Sequence, residues 1–241
     1  MKINKLQRNV EIICEIHPQH MGDIKEIERM IIQSKISGAD FVKVQLYSSE
    51  KLFGDSERSY LDINKKELEK INNFCKTIGI NLTASIFDEE KLEWCEELGF
   101  EVYKIASRTV NEDPELCKKI ISKKKRTIVS LGMYDYSKEL PFKDKNVEYL
   151  YCVSKYPTKL TEINMPNFDD SFFNGFSDHT VGIDAAIYSI SKGARIIEKH
   201  FSNNKSLNVS TQLGHTGSMD YHDLENLRRI ADSINLLRNY K

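Results

Sequence analysis

Two short apolar segments of the sequence each end in a polar cluster that contains a histidine. His179 follows Asp178 in the first segment, and His200 follows Glu198 and a lysine in the second. The stretch between the segments has helical periodicity. A strand–helix–strand order makes the two strands parallel neighbours, so their ends meet at one edge of the sheet. Two imidazoles at that edge, next to carboxylates, could hold a divalent metal ion with open coordination positions.

Other polar side chains follow further apolar segments that we predict to be strands. Two of them are lysines and several are hydroxyls, a set suited to a phosphate or a carboxylate if the strand ends come together. These side chains are Glu15, Lys43, Gln45, Lys104, Ser107, Ser130, Ser154, Tyr156 and Ser177.

Strand-like and helix-like segments alternate along the whole chain. The predicted strands are 10–16, 41–45, 81–85, 102–106, 127–130, 147–152, 174–177 and 195–199. The predicted helices are 23–38, 64–79, 88–98, 113–124, 137–143, 182–193 and 220–237, with a weakly helical or irregular crossover at 160–170.

Eight such units in about 240 residues are typical of an α/β fold of the (β/α)₈ TIM barrel type, in which active sites lie at the C-terminal strand ends. No linker divides the chain, so we predict one domain over residues 1–241. The main alternative is an open, doubly wound sheet. It would have a glycine-rich turn after the first strand, where this chain has His17-Pro-Gln-His20.

The composition indicates a globular protein, with 40% hydrophobic and 29% charged residues and a formal net charge of −1. This charge argues against nucleic-acid or membrane-surface binding. The basic run 118–126 spans a predicted helix end, where cations complement the helix dipole. The polar N-terminal residues 1–9 lead us to expect no signal peptide, and no apolar run approaches the roughly 20 residues of a membrane span. Five scattered cysteines without a C-x-x-C pair indicate buried free thiols, and we predict a cytoplasmic location.

Several motifs, taken together and in order, resemble those of the sialic acid synthase (N-acetylneuraminate synthase) family. The resemblance extends from Glu11 to about Leu227. Its most specific motifs are Tyr103-Lys-Ile-Ala-Ser107, Ser177-Asp-His-Thr180 and Glu198-Lys-His-Phe201.

The resemblance implies a (β/α)₈ catalytic barrel that condenses phosphoenolpyruvate with an N-acylated aminohexose in its aldehyde form. The products would be a sialic-acid-like 2-keto acid, used in surface glycan biosynthesis, and phosphate. His179 and His200 would hold Mn²⁺ or Mg²⁺ and act in catalysis with Glu15, and the protein would be a homodimer. The residues that would hold phosphoenolpyruvate are Lys43, Lys104, Ser107, Ser130, Ser154, Tyr156 and Ser177. Those that would bind the acceptor are Gln45 and Asp178.

Three departures from the family pattern fall on the acceptor side. Thr109 occupies the position of an acid that exchanges protons with the sugar, and a threonine cannot act as a carboxylate base near neutral pH. Gly214 stands where the family has an aspartate, with His215 next to it. The sequence ends at Lys241, so the C-terminal antifreeze-like domain of the family is expected to be absent.

Three hypotheses remain open on the sequence. The first is a phosphoenolpyruvate-dependent synthase with an acceptor other than N-acetylmannosamine. The second is another metal-dependent aldolase, lyase or isomerase on the same barrel, which Thr109 keeps open. The third is a non-catalytic homologue that retains the anion site.

Overall fold

The eight predicted strands pair in chain order and close into a barrel, with β1 next to β8. The computed structural model describes residues 10–137, 139–205 and 216–239. Every strand pair is parallel, which confirms the (β/α)₈ barrel and excludes the open sheet. The strands are β1 Glu11–Glu15, β2 Phe41–Leu46, β3 Asn81–Ile86, β4 Val102–Ile105, β5 Arg126–Ser130, β6 Val147–Cys152, β7 Phe173–Asp178 and β8 Ile196–His200.

Side chains alternate between the barrel interior and the helix layer along each strand, because the side-chain period of a strand is two. In β8, Ile196 packs in the interior while Ile197 packs against the helices. Glu198 and His200 then point into the open C-terminal end of the barrel. The interior below this end is apolar and closed by Ile13, Phe41, Val102, Ile128, Leu150 and Ile196.

Helices cover the outside of the barrel. They are α1 Ile24–Ile36, α2 Ser49–Phe53, α3 Lys65–Ile78, α4 Glu89–Glu97, α5 Ser107–Glu112, α6 Pro114–Ser122, α7 Asp184–Ser191 and α8 Tyr221–Asn239. Two further single-turn helices, Leu160–Glu162 and Phe168–Asp170, lie in the predicted irregular crossover, and another lies at Ser59–Leu61.

The helix ends have the local signals that the sequence supplies. Asp23 accepts a hydrogen bond from the backbone of Lys25 and so caps α1. Asn64 and Glu67 form a reciprocal capping box at the start of α3. Gly79 ends α3 with φ of 75°, a left-handed conformation that favours glycine.

The helix predicted at 137–143 is wrong, since none of the described residues of that segment is helical. Pro141 removes a backbone donor there. The backbone N–H and C=O of Phe142 instead bond to the hydroxyl of Tyr149 in β6. The short helices α2 and α5 were not predicted, because five and six residues are too few to show an apolar period.

All five cysteines are buried and free, as predicted. Among the described residues, no helix combines the length and apolar character that a membrane span requires.

Candidate active site

A cavity of about 490 Å³ opens at the C-terminal ends of the strands. The structure brings eleven of the twelve predicted site residues to its wall. They are Glu15, Lys43, Gln45, Lys104, Ser107, Ser130, Ser154, Tyr156, Ser177, His179 and His200. These residues come from seven of the eight strands or the connections after them, so the closed barrel is what assembles them.

Two buried lysines and two buried glutamates form a network at the floor of the cavity. Lys43 is hydrogen-bonded to Glu15, and its Nζ lies 3.6 Å from Glu198 Oε2. Lys104 Nζ lies 3.8 Å from Glu198 Oε1 and donates to Ser130 Oγ at 2.8 Å. The charges of the two lysines are therefore matched by two carboxylates.

The pKa shifts of these groups follow from burial and from their partners. Burial lowers the pKa of Lys104 to about 8, although Glu198 acts in the opposite sense. Burial also opposes the charged form of Lys43, but Glu15 and Glu198 outweigh it and raise the pKa of Lys43. Lys43 is therefore a fixed cation, whereas the charge of Lys104 depends on pH near 8.

Glu198 is the centre of this network. It accepts a hydrogen bond from Ser177 Oγ at 2.8 Å, and its Oε2 is buried without a hydrogen-bond partner among the described residues. Burial raises the pKa of Glu198, but Lys104 and Lys43 more than offset it, so the net shift is downward. Glu198 is thus an ionised carboxylate with unused hydrogen-bonding capacity at Oε2.

His179 and His200 face each other with ring centroids 5.8 Å apart. His179 Nδ1 lies 2.8 Å from the carbonyl oxygen of Val153, and His200 Nδ1 lies 3.1 Å from Gln19 Oε1. Both partners are acceptors, so each Nδ1 carries the hydrogen and each Nε2 has the lone pair that a metal needs. With metal–nitrogen bonds of about 2.1 Å, this spacing lets one ion bind both rings.

Tyr156 covers this pair of histidines. Its ring centroid lies 4.2 Å from that of His179 and 5.9 Å from that of His200. An ion bound between the imidazoles would therefore have an aromatic wall on one side.

The prediction that Asp178 binds the acceptor is wrong. Its side chain is fully buried outside the cavity, where Oδ2 accepts from Lys199 Nζ at 3.0 Å. Oδ1 accepts from both the backbone and the hydroxyl of Thr180. The alternation of β7 explains this placement, because Ser177 points inward and the next residue must point outward.

Thr109, the first departure from the family pattern, does not line the cavity. Thr109 is buried in α5, and its Oγ1 has no hydrogen-bond partner among the described residues. Arg108, one residue earlier, lines the cavity instead. The cavity wall therefore has a guanidinium one position before the threonine that stands where the family pattern has an acid.

Sequence reasoning missed several other residues of the cavity wall. Ser85 accepts a hydrogen bond from Lys43 Nζ at 2.9 Å. Strand β3 pairs with β2, so the C-terminal position of Ser85 was a signal that could have found it. His17, Tyr47 and Arg58 lie in loops after strands, and their inward orientation has no signal in the sequence pattern. Gly214 and His215, the third predicted departure, lie outside the described residues.

Comparisons with known proteins agree with this geometry. A model of the NeuB family matches residues 30–239. The N,N'-diacetyllegionaminic acid synthase of Legionella pneumophila is 29% identical over 262 residues, which cover 94% of this chain and 72% of the relative. The pseudaminic acid synthase of Campylobacter jejuni is 30% identical over 231 residues, which cover 83% of this chain and 67% of the relative.

A solved structure has the same barrel. The N-acetylneuraminic acid (sialic acid) synthetase of Leptospira borgpetersenii, determined in complex with citrate, superimposes with a TM-score of 0.85 at 26% sequence identity. The superposition covers 95% of this chain and 85% of that chain.

Proposed function

The chain belongs to the NeuB family, and on this premise we propose that it condenses phosphoenolpyruvate with an aldehyde sugar. The products are a 2-keto-3-deoxy sugar acid and phosphate, as in the biosynthesis of surface glycans. The observation that supports this most strongly is that one cavity is lined by two lysines, several hydroxyls and two histidines.

The lysine end of the cavity suits phosphoenolpyruvate. Its carboxylate and phosphate need several donors, and the cavity is lined by Lys43, Lys104, Ser107, Ser130 and Ser177. Lys104 and Ser130 already share a hydrogen bond, so they would be held in place before the ligand arrives. Preorganised donors of this kind stabilise charge that develops in the transition state, by roughly several kcal/mol.

His179 and His200 fit a divalent metal, because their Nδ1 atoms are engaged by acceptors and their rings face one another. When bound there, Mn²⁺ or Mg²⁺ would polarise the carbonyl of the acceptor. Glu15 lines the same cavity and accepts from Gln45 Nε2 at 3.2 Å, so a carboxylate and an amide are available to an acceptor bound there. We assign Glu15 to orient the acceptor or the water, and Gln45 to contact the acceptor.

The bonds formed and broken balance as follows. C3 of phosphoenolpyruvate bonds to the aldehyde carbon, whose oxygen takes up a proton. Water adds at C2 and loses a proton, and phosphate then leaves as the C2 carbonyl forms. We assign Glu198, whose buried Oε2 has no hydrogen-bond partner among the described residues, to accept a hydrogen bond from that water.

One observation favours the alternatives on the same barrel. Among the described residues that line the cavity, the carboxylates are Glu15 and Glu198, and both are engaged by lysines. A metal-dependent lyase would cleave a 2-keto-3-deoxy sugar acid to pyruvate without consuming phosphoenolpyruvate. A non-catalytic homologue would show ligand-induced thermal stabilisation without turnover.

The test is release of phosphate from phosphoenolpyruvate by the purified protein, with a panel of aldoses and with Mn²⁺ or Mg²⁺. We expect release only when both a metal and an aldehyde sugar are present. Lys104→Met should lower kcat/KM for phosphoenolpyruvate about 10- to 100-fold, the value of one charged hydrogen bond. Lys118→Met, at an exposed lysine paired with Glu115, is the matched control and should have no effect. If no aldose supports release, the proposed reaction is wrong.

A further inference from the structure

A second cluster of donors surrounds the ring of Phe53, in α2, on the cavity wall. The guanidinium carbon of Arg58 lies 4.4 Å from the ring centroid, and that of Arg108 lies 5.4 Å from it. The ring of Tyr47 contacts Phe53 with centroids 5.5 Å apart. Tyr47, Arg58 and Arg108 all line the cavity, and we call them the Phe53 subsite.

The Phe53 subsite lies across the barrel from the histidines. Tyr47, Phe53 and Arg58 follow β2, and Arg108 follows β4. In a closed barrel of eight strands in sequential order, these strands lie on either side of β3, which is opposite β7. A ligand that spans the cavity from His179 therefore has its far end at the Phe53 subsite.

The hydroxyl of Tyr47 is a hydrogen-bond donor towards the cavity, and a chain of hydrogen bonds sets this role. The backbone N–H of Gly22 donates to His20 Nδ1, so neutral His20 carries its hydrogen on Nε2. That hydrogen goes to His17 Nδ1 at 2.9 Å, so neutral His17 carries its own hydrogen on Nε2. His17 Nε2 then donates to the hydroxyl oxygen of Tyr47 at 2.9 Å. The hydroxyl hydrogen of Tyr47 remains for a ligand.

His17 and His20, the two histidines in this chain of hydrogen bonds, are both neutral at pH 7. Burial lowers the pKa of His20 to about 4 and holds the pKa of His17 well below its ordinary value. Burial also raises the pKa of Tyr47, so its hydroxyl keeps its proton.

The two arginines add positive charge that the described part of the wall does not neutralise. Arg58 forms no ion pair with a described carboxylate. Arg108 contacts Glu112 through Nε at 3.5 Å, which leaves the two terminal nitrogens of its guanidinium. Asp62 is close enough to raise the pKa of Tyr47, but it accepts from the backbone of Ser49 and does not line the cavity.

The floor of the cavity and the Phe53 subsite therefore differ in net charge. At the floor, Lys43 and Lys104 are matched by Glu15 and Glu198. The Phe53 subsite offers only donors and carries the excess of positive charge. A neutral sugar hydroxyl gains little from such a site, whereas a phosphate or a carboxylate can accept from all three side chains.

We propose that the Phe53 subsite binds an anionic group, a phosphate or a carboxylate, that the acceptor sugar carries at the end remote from its reacting carbonyl. This inference rests on the proposed function, because it takes the ligand that spans the cavity to be the acceptor. It assigns Tyr47, Arg58 and Arg108 to acceptor selection, not to the chemical step.

The test measures binding by calorimetry, independently of turnover. The ligands are N-acetylmannosamine, its 6-phosphate and the corresponding 6-carboxylate, which differ only in the group at C6. We expect the wild-type protein to bind one of the charged sugars at least 10-fold more tightly than the neutral one. Whichever of the two binds more tightly identifies the anion.

Variants then assign that preference to the subsite. Arg58→Gln should weaken binding of the charged sugar about 10- to 100-fold, as expected for a lost charged hydrogen bond. Tyr47→Phe, which keeps the contact with Phe53, should weaken binding of the charged sugar about 5- to 10-fold. Both changes should weaken binding of the neutral sugar much less than binding of the charged one. Arg29→Gln removes an exposed arginine that pairs with Glu26 on α1 and should change nothing.

The subsite would be overturned if no charged sugar binds, or if all three sugars bind with equal affinity. It would also be overturned if Lys104→Met, and not Arg58→Gln, abolishes binding of the charged sugar. The last result would place the anion at the lysine end. Phosphate release is measured in parallel. Charged-sugar binding through Arg58 without release from phosphoenolpyruvate contradicts the proposed function alone, and release with neutral and charged sugars at equal affinity contradicts the subsite alone.

Discussion

Replacing Lys199 by methionine should strongly lower the free energy of unfolding without changing the affinity of the folded protein for its ligands. Lys199 and Asp178 form an ion pair with both side chains fully buried, and Lys199 also donates to the carbonyl oxygen of Thr180 at 2.7 Å. Methionine fills the space of the lysine stem but leaves the carboxylate without its counter-charge. Removing one partner of a buried pair costs about 3–5 kcal/mol.

Urea unfolding followed by circular dichroism measures this loss, and a double-mutant cycle assigns it to the pair. Asp178→Asn combined with Lys199→Met should lose less stability than Lys199→Met alone, because no charge is then left buried. Lys118→Met, at an exposed lysine, should stay within about 0.5 kcal/mol of wild type.

The reasoning about Asp178 is refuted if Lys199→Met loses less than about 1 kcal/mol, well under the cost of an unpaired buried charge. It is also refuted if Asp178→Asn raises the KM for an acceptor sugar while leaving the free energy of unfolding unchanged. That second result would restore the acceptor role that the structure argues against.

Three further predictions concern the cavity and its surroundings. The kcat/KM for phosphoenolpyruvate should fall about tenfold per pH unit above about pH 8. Burial lowers the pKa of Lys104 to about 8, so this lysine loses its positive charge as the pH rises. The decline should be absent in Lys104→Met. A chelator should abolish phosphate release, added Mn²⁺ should restore it in the wild type, and His200→Asn should prevent restoration; full activity of the chelated enzyme would argue against a metal. In urea unfolding, Thr109→Val should leave the free energy of unfolding unchanged or raise it by up to about 1 kcal/mol, because the buried hydroxyl has no hydrogen-bond partner among the described residues. The same variant should keep the wild-type kcat, and a fall in kcat would show that Thr109 takes part in the reaction.

The barrel and the floor of the cavity could be predicted because they follow from strand periodicity. Once the eight strands are placed in parallel order, their polar C-terminal residues must share one end. Glu15, Lys43 and Lys104 are therefore close together although up to 89 positions separate them in sequence numbering, and adjacent strands hold them in register.

Asp178 shows where the same rule was not applied strictly enough. Ser177 and Asp178 are consecutive residues of β7, so they cannot both face the cavity. The resemblance drew attention to the whole Ser-Asp-His-Thr motif, but the period of two already separates its members. Thr109 differs from this case, because its orientation depends on the phase of a six-residue helix that has no apolar pattern.

The Phe53 subsite could not be predicted from sequence periodicity. Tyr47, Arg58 and Arg108 belong to connections after two different strands, and no pattern links them. Their convergence depends on how the loop after β2 folds over the barrel. The assignment of Tyr47 as a donor depends in addition on individual hydrogen bonds, which exist only in the folded protein.

The order Glu198, Lys199, His200 in β8 has a consequence for how this enzyme could be changed. The outer residues of the triplet line the cavity and the middle one is paired with Asp178 in the wall, so the cavity and the fold depend on neighbouring residues that can be altered separately. Deleting one residue upstream would exchange these assignments, turning an ammonium towards the substrate and an imidazole into the helix layer. Point substitutions at 198 and 200 therefore change the cavity wall alone, whereas a one-residue change of length in this strand would reverse the direction of all three side chains.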